Sequence, residues 1–172
     1  MLYLLDANVL IDANRDYYPM DRVPEFWGWL EHCGENKRIA IGLEIYEEFK
    51  SYKDDLGKWA RKEDVRSALV LAEEAEPSVV ARVVSEGYAP DLSDEELEKL
   101  GRDPFLIGYA LRDLGNRTVV TTESKRPSRT RANRHVPDVC ERLGIPWCTP
   151  FEMLRALNFT TDWSSRVGSG QR

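Results

Sequence analysis

Residues 1–21 read MLYLLDANVLIDANRDYYPMD. Leu2 to Leu5 forms a short apolar run that ends on Asp6, and after Asn8 a second apolar run covers Val9 to Ile11. A near-continuous apolar run of this length suits a strand covered on both faces, as in a parallel sheet. An acid at the mouth of such a strand either caps the helix that follows or holds something. The rest of the chain bears on which.

Three further runs read as strands: Arg38 to Gly42 (RIAIG), Thr118 to Thr122 (TVVTT) and Ile145 to Cys148 (IPWC). Pro146 weakens the last and puts it near an edge, because proline cannot donate to a ladder. Helical signals fill the intervals. Pro24 opens PEFWGWLEH, and LEIYEEFKSYKDD follows the second strand directly. A charged pair of helices is expected over about 58–74 and 77–85. Ser93 with Glu96 makes a capping box ahead of ELEKL, and Thr149 with Glu152 makes another. Asp103-Pro104 opens FLIGYALRDL, and Pro137-Asp138 opens VCERL. Strands alternating with helices imply an α/β fold with a mostly parallel central sheet flanked by helices, plus an added helical segment around 56–100. One domain over 1–159 and a disordered polar tail over 160–172 are expected.

The bulk numbers narrow the function classes. A chain of 172 residues with 42% hydrophobic and 31% charged residues is ordinary for a globular protein. No apolar stretch approaches the ~18 residues of a membrane span, and no leader pattern is seen, so a cytoplasmic location is the simplest expectation. Three cysteines without metal-type spacing read as reduced thiols. With only two histidines, His32 and His135, a multi-histidine zinc site is excluded and a histidine-based triad is disfavoured. There is no GxxxxGK[ST] loop, no GxGxxG and no GxSxG elbow.

In an open parallel sheet, ligands bind at the carboxyl ends of the strands. Asp6 lies at the carboxyl end of the first strand, and TVVTT runs directly into Glu123. The second strand leads into a helix bearing Glu44, Glu47 and Glu48. A helix that feeds a parallel strand starts on the same rim, which brings Asp103 there too. Carboxylates crowded together raise one another's pKa values, and a divalent cation removes that conflict. Hard oxygen donors favour Mg²⁺ or Mn²⁺. Each acid also has a plain alternative: Asp6 and Asp103 as helix caps, the glutamates as first-turn residues favoured by the helix dipole.

The set LLDANVLI, IAIGLEIYEEF, DPFLIGYAL and VVTTE resembles the PIN-domain nucleases in order and spacing, over Leu2 to about Asn158. YYPMDRVPEFWGWL and VPDVCERLGIPWCTPFEML resemble a bacterial branch of that family catalogued as a domain of unknown function. The resemblance implies a PIN-like α/β/α sandwich and metal-dependent cleavage of phosphodiesters, usually in RNA. It implies Asp6, Glu48, Asp103 and Glu123 as catalytic and metal-binding acids, with Glu47 as the rival of Glu48. Asn8 and Thr121 would support them. Glu123 stands where the family usually has Asp, which leaves Asp138 as an alternative fourth acid. Many bacterial members resemble toxins held by a co-encoded antitoxin protein, and many are homodimers.

Net charge is −6, yet KRPSRTRANRH holds Lys125, Arg126, Arg129, Arg131 and Arg134 with no acid among them. Following Glu123, these five are expected to contact RNA phosphates without reading sequence. A solvated basic loop is the plain alternative. The aromatic set Tyr17, Tyr18, Phe26, Trp27 and Trp29 could stack bases, but such spacing more often packs a core or a dimer face. The rival function is a non-catalytic PIN-like module that binds RNA or protein. A weaker third reading is a metal-dependent phosphatase.

Overall fold

The computed structural model describes residues 1–168. Strand β1 (Leu2–Leu5) runs through Asp6 into helix α1 (Ala7–Asp12), which widens into a π-helical turn over Ala13–Tyr17. Helix α2 (Pro24–Glu35) starts with proline in its first turn and returns the chain to β2 (Ile39–Ala40). Helix α3 (Leu43–Phe49) follows β2, and the added segment then begins with α4 (Asp55–Ala60), α5 (Glu63–Leu69) and α6 (Pro77–Arg82). A second π-helical turn (Val83–Tyr88) and α7 (Asp94–Leu100), with the expected Ser93/Glu96 capping box, complete it. Helix α8 (Asp103–Leu111) then feeds β3 (Arg117–Val120). A 3₁₀ turn (Arg131–Asn133), α9 (Val136–Arg142), β4 (Trp147–Cys148) and α10 (Pro150–Ala156) follow.

All four strands are parallel, in the order β2-β1-β3-β4. This is the α/β architecture expected from the alternation of elements, with β4 at the edge where Pro146 put it. Leu4 and Leu5 point to opposite faces of β1, and both are fully buried, so helices cover the sheet on both sides. The 56–100 segment belongs to the same body: Ile41 pairs with Val70, Trp59 packs on Trp27, and Tyr46 donates to the Ala60 carbonyl at 3.0 Å.

Two expectations need correction, and one alternative is settled. The single helix over 58–74 is two helices, α4 and α5, broken at 61–62. The alternative is settled for Phe26, Trp27 and Trp29: they are core residues at 2–3% exposure, as their spacing favoured, and are closed to bases. Tyr18 stacks on Phe26, while Tyr17 alone of the set is exposed.

The tail is the second correction. A further helix, α11 (Trp163–Gly168), stands where disorder from residue 160 was expected. Trp163 stacks on His32 and donates its indole N–H to the Glu25 carbonyl at 2.8 Å. One tryptophan with a fixed partner outweighs a polar composition. Residues 169–172 of the expected tail lie outside the described residues. Trp163→Ala is expected to cost about 1–2 kcal/mol, read as a lower urea midpoint at unchanged slope.

Candidate metal centre

The chain leaves β1 toward β2 on one side, whereas β3 lies on the other, so the strand order reverses between β1 and β3. That is where open α/β sheets form their crevice. The Asp6 N–H donates to the Val120 carbonyl at 2.9 Å, which carries the ladder one residue past β1. Asp6 is thereby set beside Thr121, whose hydroxyl donates to Asp6 Oδ2 at 2.8 Å. The same Thr121 oxygen accepts the Glu123 N–H at 3.2 Å and so shapes the turn that presents Glu123.

Asp6 stands at the N-cap of α1, but its side chain closes no capping hydrogen bond there. Asp103 is the first residue inside α8, in the first turn, and Arg102 takes the cap position. Capping alone therefore does not account for either carboxylate, although the first turn of α8 still favours an acid.

Electrostatics ties the acids together. Asp6 is 6% exposed, and burial pushes its pKa from 3.8 up to about 6. The Thr121 hydroxyl and the Asn8 N–H pull the other way, while the charges of Glu123 and Glu48 add to the rise. Asp103 rises further, to about 8, again through burial first and then through Asp6, Glu123 and Glu48. Glu48 of α3 and Glu123 after β3 thus act on both aspartates, one after β1 and one opening α8.

The α3 glutamates divide by partner. Glu47 pairs with Lys50, and Glu44 accepts the Tyr109 hydroxyl at 2.9 Å. Glu48 is the one whose charge reaches both aspartates. Glu123 has a second tie, since its Oε2 accepts the Val136 N–H at the start of α9 at 2.7 Å. Asp138 turns to the neighbouring loop, where its Oδ2 accepts the Arg126 N–H at 2.8 Å, and it is not among the charges acting on Asp6 or Asp103. The Asn8 side chain is exposed beside the site.

Among the described residues, no three ligating side chains stand close enough to grip an ion at once. The acids are grouped by electrostatic reach, not by touch. The donor set still fits a hard cation: it is all carboxylate, and burial followed by the neighbouring acids makes the charged forms of Asp6 and Asp103 costly without one. A concavity of about 670 Å³ lies elsewhere, at the amino ends of β1 and β2 near Leu2, Lys37 and Ile39.

The basic stretch divides too. Arg131 is spent on protein: its guanidinium bonds Glu96 and Asp91, each at 2.8 Å. Arg134 donates to the Gly87 carbonyl at 2.8 Å. Lys125 pairs with Glu141 at the surface, and the side chains of Arg126 and Arg129 are exposed. Two of the five expected phosphate contacts are thus structural, for a reason spacing does not show: Arg131 meets acids 35 and 40 residues away.

Sequence reasoning passed over Tyr88. It is 3% exposed, its hydroxyl has no hydrogen-bond partner among the described residues, and the charges of Asp103, Glu123 and Asp6 all act on it. In the sequence it is one aromatic in a helical segment, with nothing to mark it. No helix among the described residues is long and apolar enough to cross a membrane.

Comparison with curated proteins finds no match. A family model described as "Domain of unknown function (DUF4411)" matches residues 3–161, which include all four acids, Thr121 and Tyr88. The chain belongs to the DUF4411 family.

Proposed function

We propose that this protein is a Mg²⁺- or Mn²⁺-dependent endoribonuclease with a PIN-like site. One observation carries the reading: four acids from four separate elements are coupled at the β1/β3 reversal, and burial with mutual repulsion raises two of them. Asp6, Glu48, Asp103 and Glu123 would hold the cation, which supplies Lewis acidity toward water and offsets charge on the leaving oxygen. Thr121 fixes the Asp6 carboxylate, and the Val136 N–H fixes Glu123. Lys125, Arg126 and Arg129 hold the phosphate backbone beside the site. The resemblance to PIN nucleases adds the setting: a cytoplasmic toxin restrained by a co-encoded antitoxin.

Calorimetry with Mn²⁺ beside an RNA-cleavage assay tests the reading, on wild type and Asp6→Asn. Binding and cleavage are expected in the first and loss of both in the second. The rival, a non-catalytic PIN-like RNA- or protein-binding module, draws on the absence of a preassembled ligand set among the described residues. It predicts a wild-type protein that binds RNA, ignores Mn²⁺ and cuts nothing.

Three phosphate contacts on single-stranded RNA give a salt slope of about −2, so binding is expected to weaken roughly a hundredfold from 50 to 500 mM salt. Cleavage at subsaturating RNA should follow. A flat profile removes the basic stretch from the substrate path.

A further inference from the structure

A second concavity, of about 320 Å³, opens at the carboxyl ends of β3 and β4, where Thr122 and Thr149 line it. Val9, Met153 and Leu154 form its buried floor. Tyr17 and Phe151 stand at its mouth, 54% and 44% exposed, with ring centroids 5.3 Å apart in an edge-to-face pair. They are two of the three exposed aromatics among the described residues. Tyr17 arrives there through the π-helical turn Ala13–Tyr17, in which the Tyr18 N–H donates to the Ala13 carbonyl at 2.6 Å. Such turns are rare, and they are frequently found at functional sites.

The pocket adjoins the acids. Thr122 on its wall follows Thr121, whose hydroxyl donates to Asp6 Oδ2 at 2.8 Å, and precedes Glu123. Val9 on its floor donates its N–H to the Asp6 carbonyl at 3.1 Å. Consecutive Cα atoms stand only about 3.8 Å apart, so wall and acid site are neighbours within the length of one nucleotide.

Charge decides what the pocket can hold. Arg15 is bound by Asp12 at 2.8 Å and by Asp16 at 2.6 Å, so two carboxylates meet one guanidinium and the lining is net negative. A phosphate is repelled there. An unpaired nucleobase is neutral, offers a π face to the two rings, and brings N–H donors for a carboxylate or hydroxyl. The volume, at the small end for a ligand site, suits one base.

We propose that this pocket takes one unpaired base of the RNA substrate, stacked on Tyr17 and Phe151, beside the phosphate that the acids cleave. This rests on the nuclease reading above and adds the substrate class. The RNA is single-stranded at the cut, because a base within a duplex is stacked on its neighbours and does not enter a pocket.

The test compares wild type with Tyr17→Ala and Phe151→Ala, two changes at exposed side chains. Thermal midpoint, solution mass and Mn²⁺ affinity are read first. Binding is then measured, with Mn²⁺ present, to a 2′-O-methyl RNA oligonucleotide and to an abasic chain of the same length. Wild type is expected to prefer the oligonucleotide about tenfold, the worth of stacking one base. Each variant loses that preference and keeps its affinity for the abasic chain, with midpoint, mass and Mn²⁺ binding unchanged. On cleavable RNA, KM rises about tenfold at a similar kcat, since stacking holds substrate and transition state alike. Variants that bind the oligonucleotide like wild type overturn the proposal and, where wild type cuts RNA, leave the nuclease reading intact. Equal loss of both chains with a lower midpoint overturns it too, by making the ring pair structural. A dimeric wild type that becomes monomeric in the variants at unchanged RNA affinity gives the pocket mouth to a second copy instead. Wild-type protein that takes up neither Mn²⁺ nor either chain brings down the nuclease reading itself, and the base pocket with it.

Discussion

Replacing Asp103 by Asn is expected to lower RNA cleavage at least a hundredfold and, in the same protein without metal, to raise the thermal midpoint. The first effect follows from removing an acid of the proposed cation site, since even residues that only support metal ligands cost about 10–100-fold when lost. The second follows from burial. Asp103 and Asp6 hold protons more tightly folded than unfolded, with pKa values of about 8 and about 6 against an ordinary 3.8. Between pH 4 and 8 the folded chain therefore binds more protons than the unfolded one, and its stability falls as pH rises through that window.

An asparagine at 103 removes the larger part of this penalty. Each pKa unit corresponds to about 1.4 kcal/mol, and partial solvent access at Asp103 reduces the full figure to about 2 kcal/mol at pH 8. For a chain of this size that is roughly 4–8 °C in midpoint. Saturating Mn²⁺ should stabilise the wild type at pH 8 and do little at pH 5, where protons already neutralise the site. Differential scanning fluorimetry over pH 5–8, with and without Mn²⁺, reads all of this. An Asp103→Asn protein less stable than wild type at pH 8 would contradict the burial argument.

The second large effect lies at the opposite end of the sheet. Arg117 begins β3 almost wholly buried, and its guanidinium meets Glu73 at 2.5 and 3.2 Å and the Tyr109 carbonyl at 2.9 Å. Its Nε has no hydrogen-bond partner among the described residues, and Asp113 Oδ2 stands 3.7 Å from it as a half-exposed second acid. Glu73→Ala leaves the charge to that weaker partner alone, and breaking a buried pair from one side typically costs about 3–5 kcal/mol. Partial exposure of Glu73 puts the expectation near 3 kcal/mol, measured by urea unfolding. Adding Arg117→Met to Glu73→Ala should recover most of the loss, because the stranded charge, not the missing attraction, is what destabilises. A double variant no more stable than the single one would reject this account. The clamp matters to the site because it joins α8, which begins with Asp103, to β3, which leads to Glu123.

Much of this was legible from local sequence. Four apolar runs gave four strands, because a buried parallel strand is marked by its own composition. The two capping boxes appeared where Ser93/Glu96 and Thr149/Glu152 placed them. Asp6 and Glu123 could be assigned to one rim because a residue that follows a strand has no other place to go. The break between α4 and α5 and the order around Trp163 depend on partners outside the local pattern, which periodicity does not report.

By itself the sequence determined the α/β class, the parallel sheet and the residue types at its carboxyl rim, all of which follow from hydrophobic pattern and turn chemistry within a few residues. Tertiary structure decided what each polar group does. It tied the Asp6 carboxylate to Thr121 on the neighbouring strand, took Arg131 for Asp91 and Glu96, turned Asp138 to the Arg126 loop and left the Tyr88 hydroxyl without a partner among the described residues. The reason is physical. Hydrophobic burial is set by local pattern, whereas the partner and pKa of a buried polar group depend on which distant atoms replace its water.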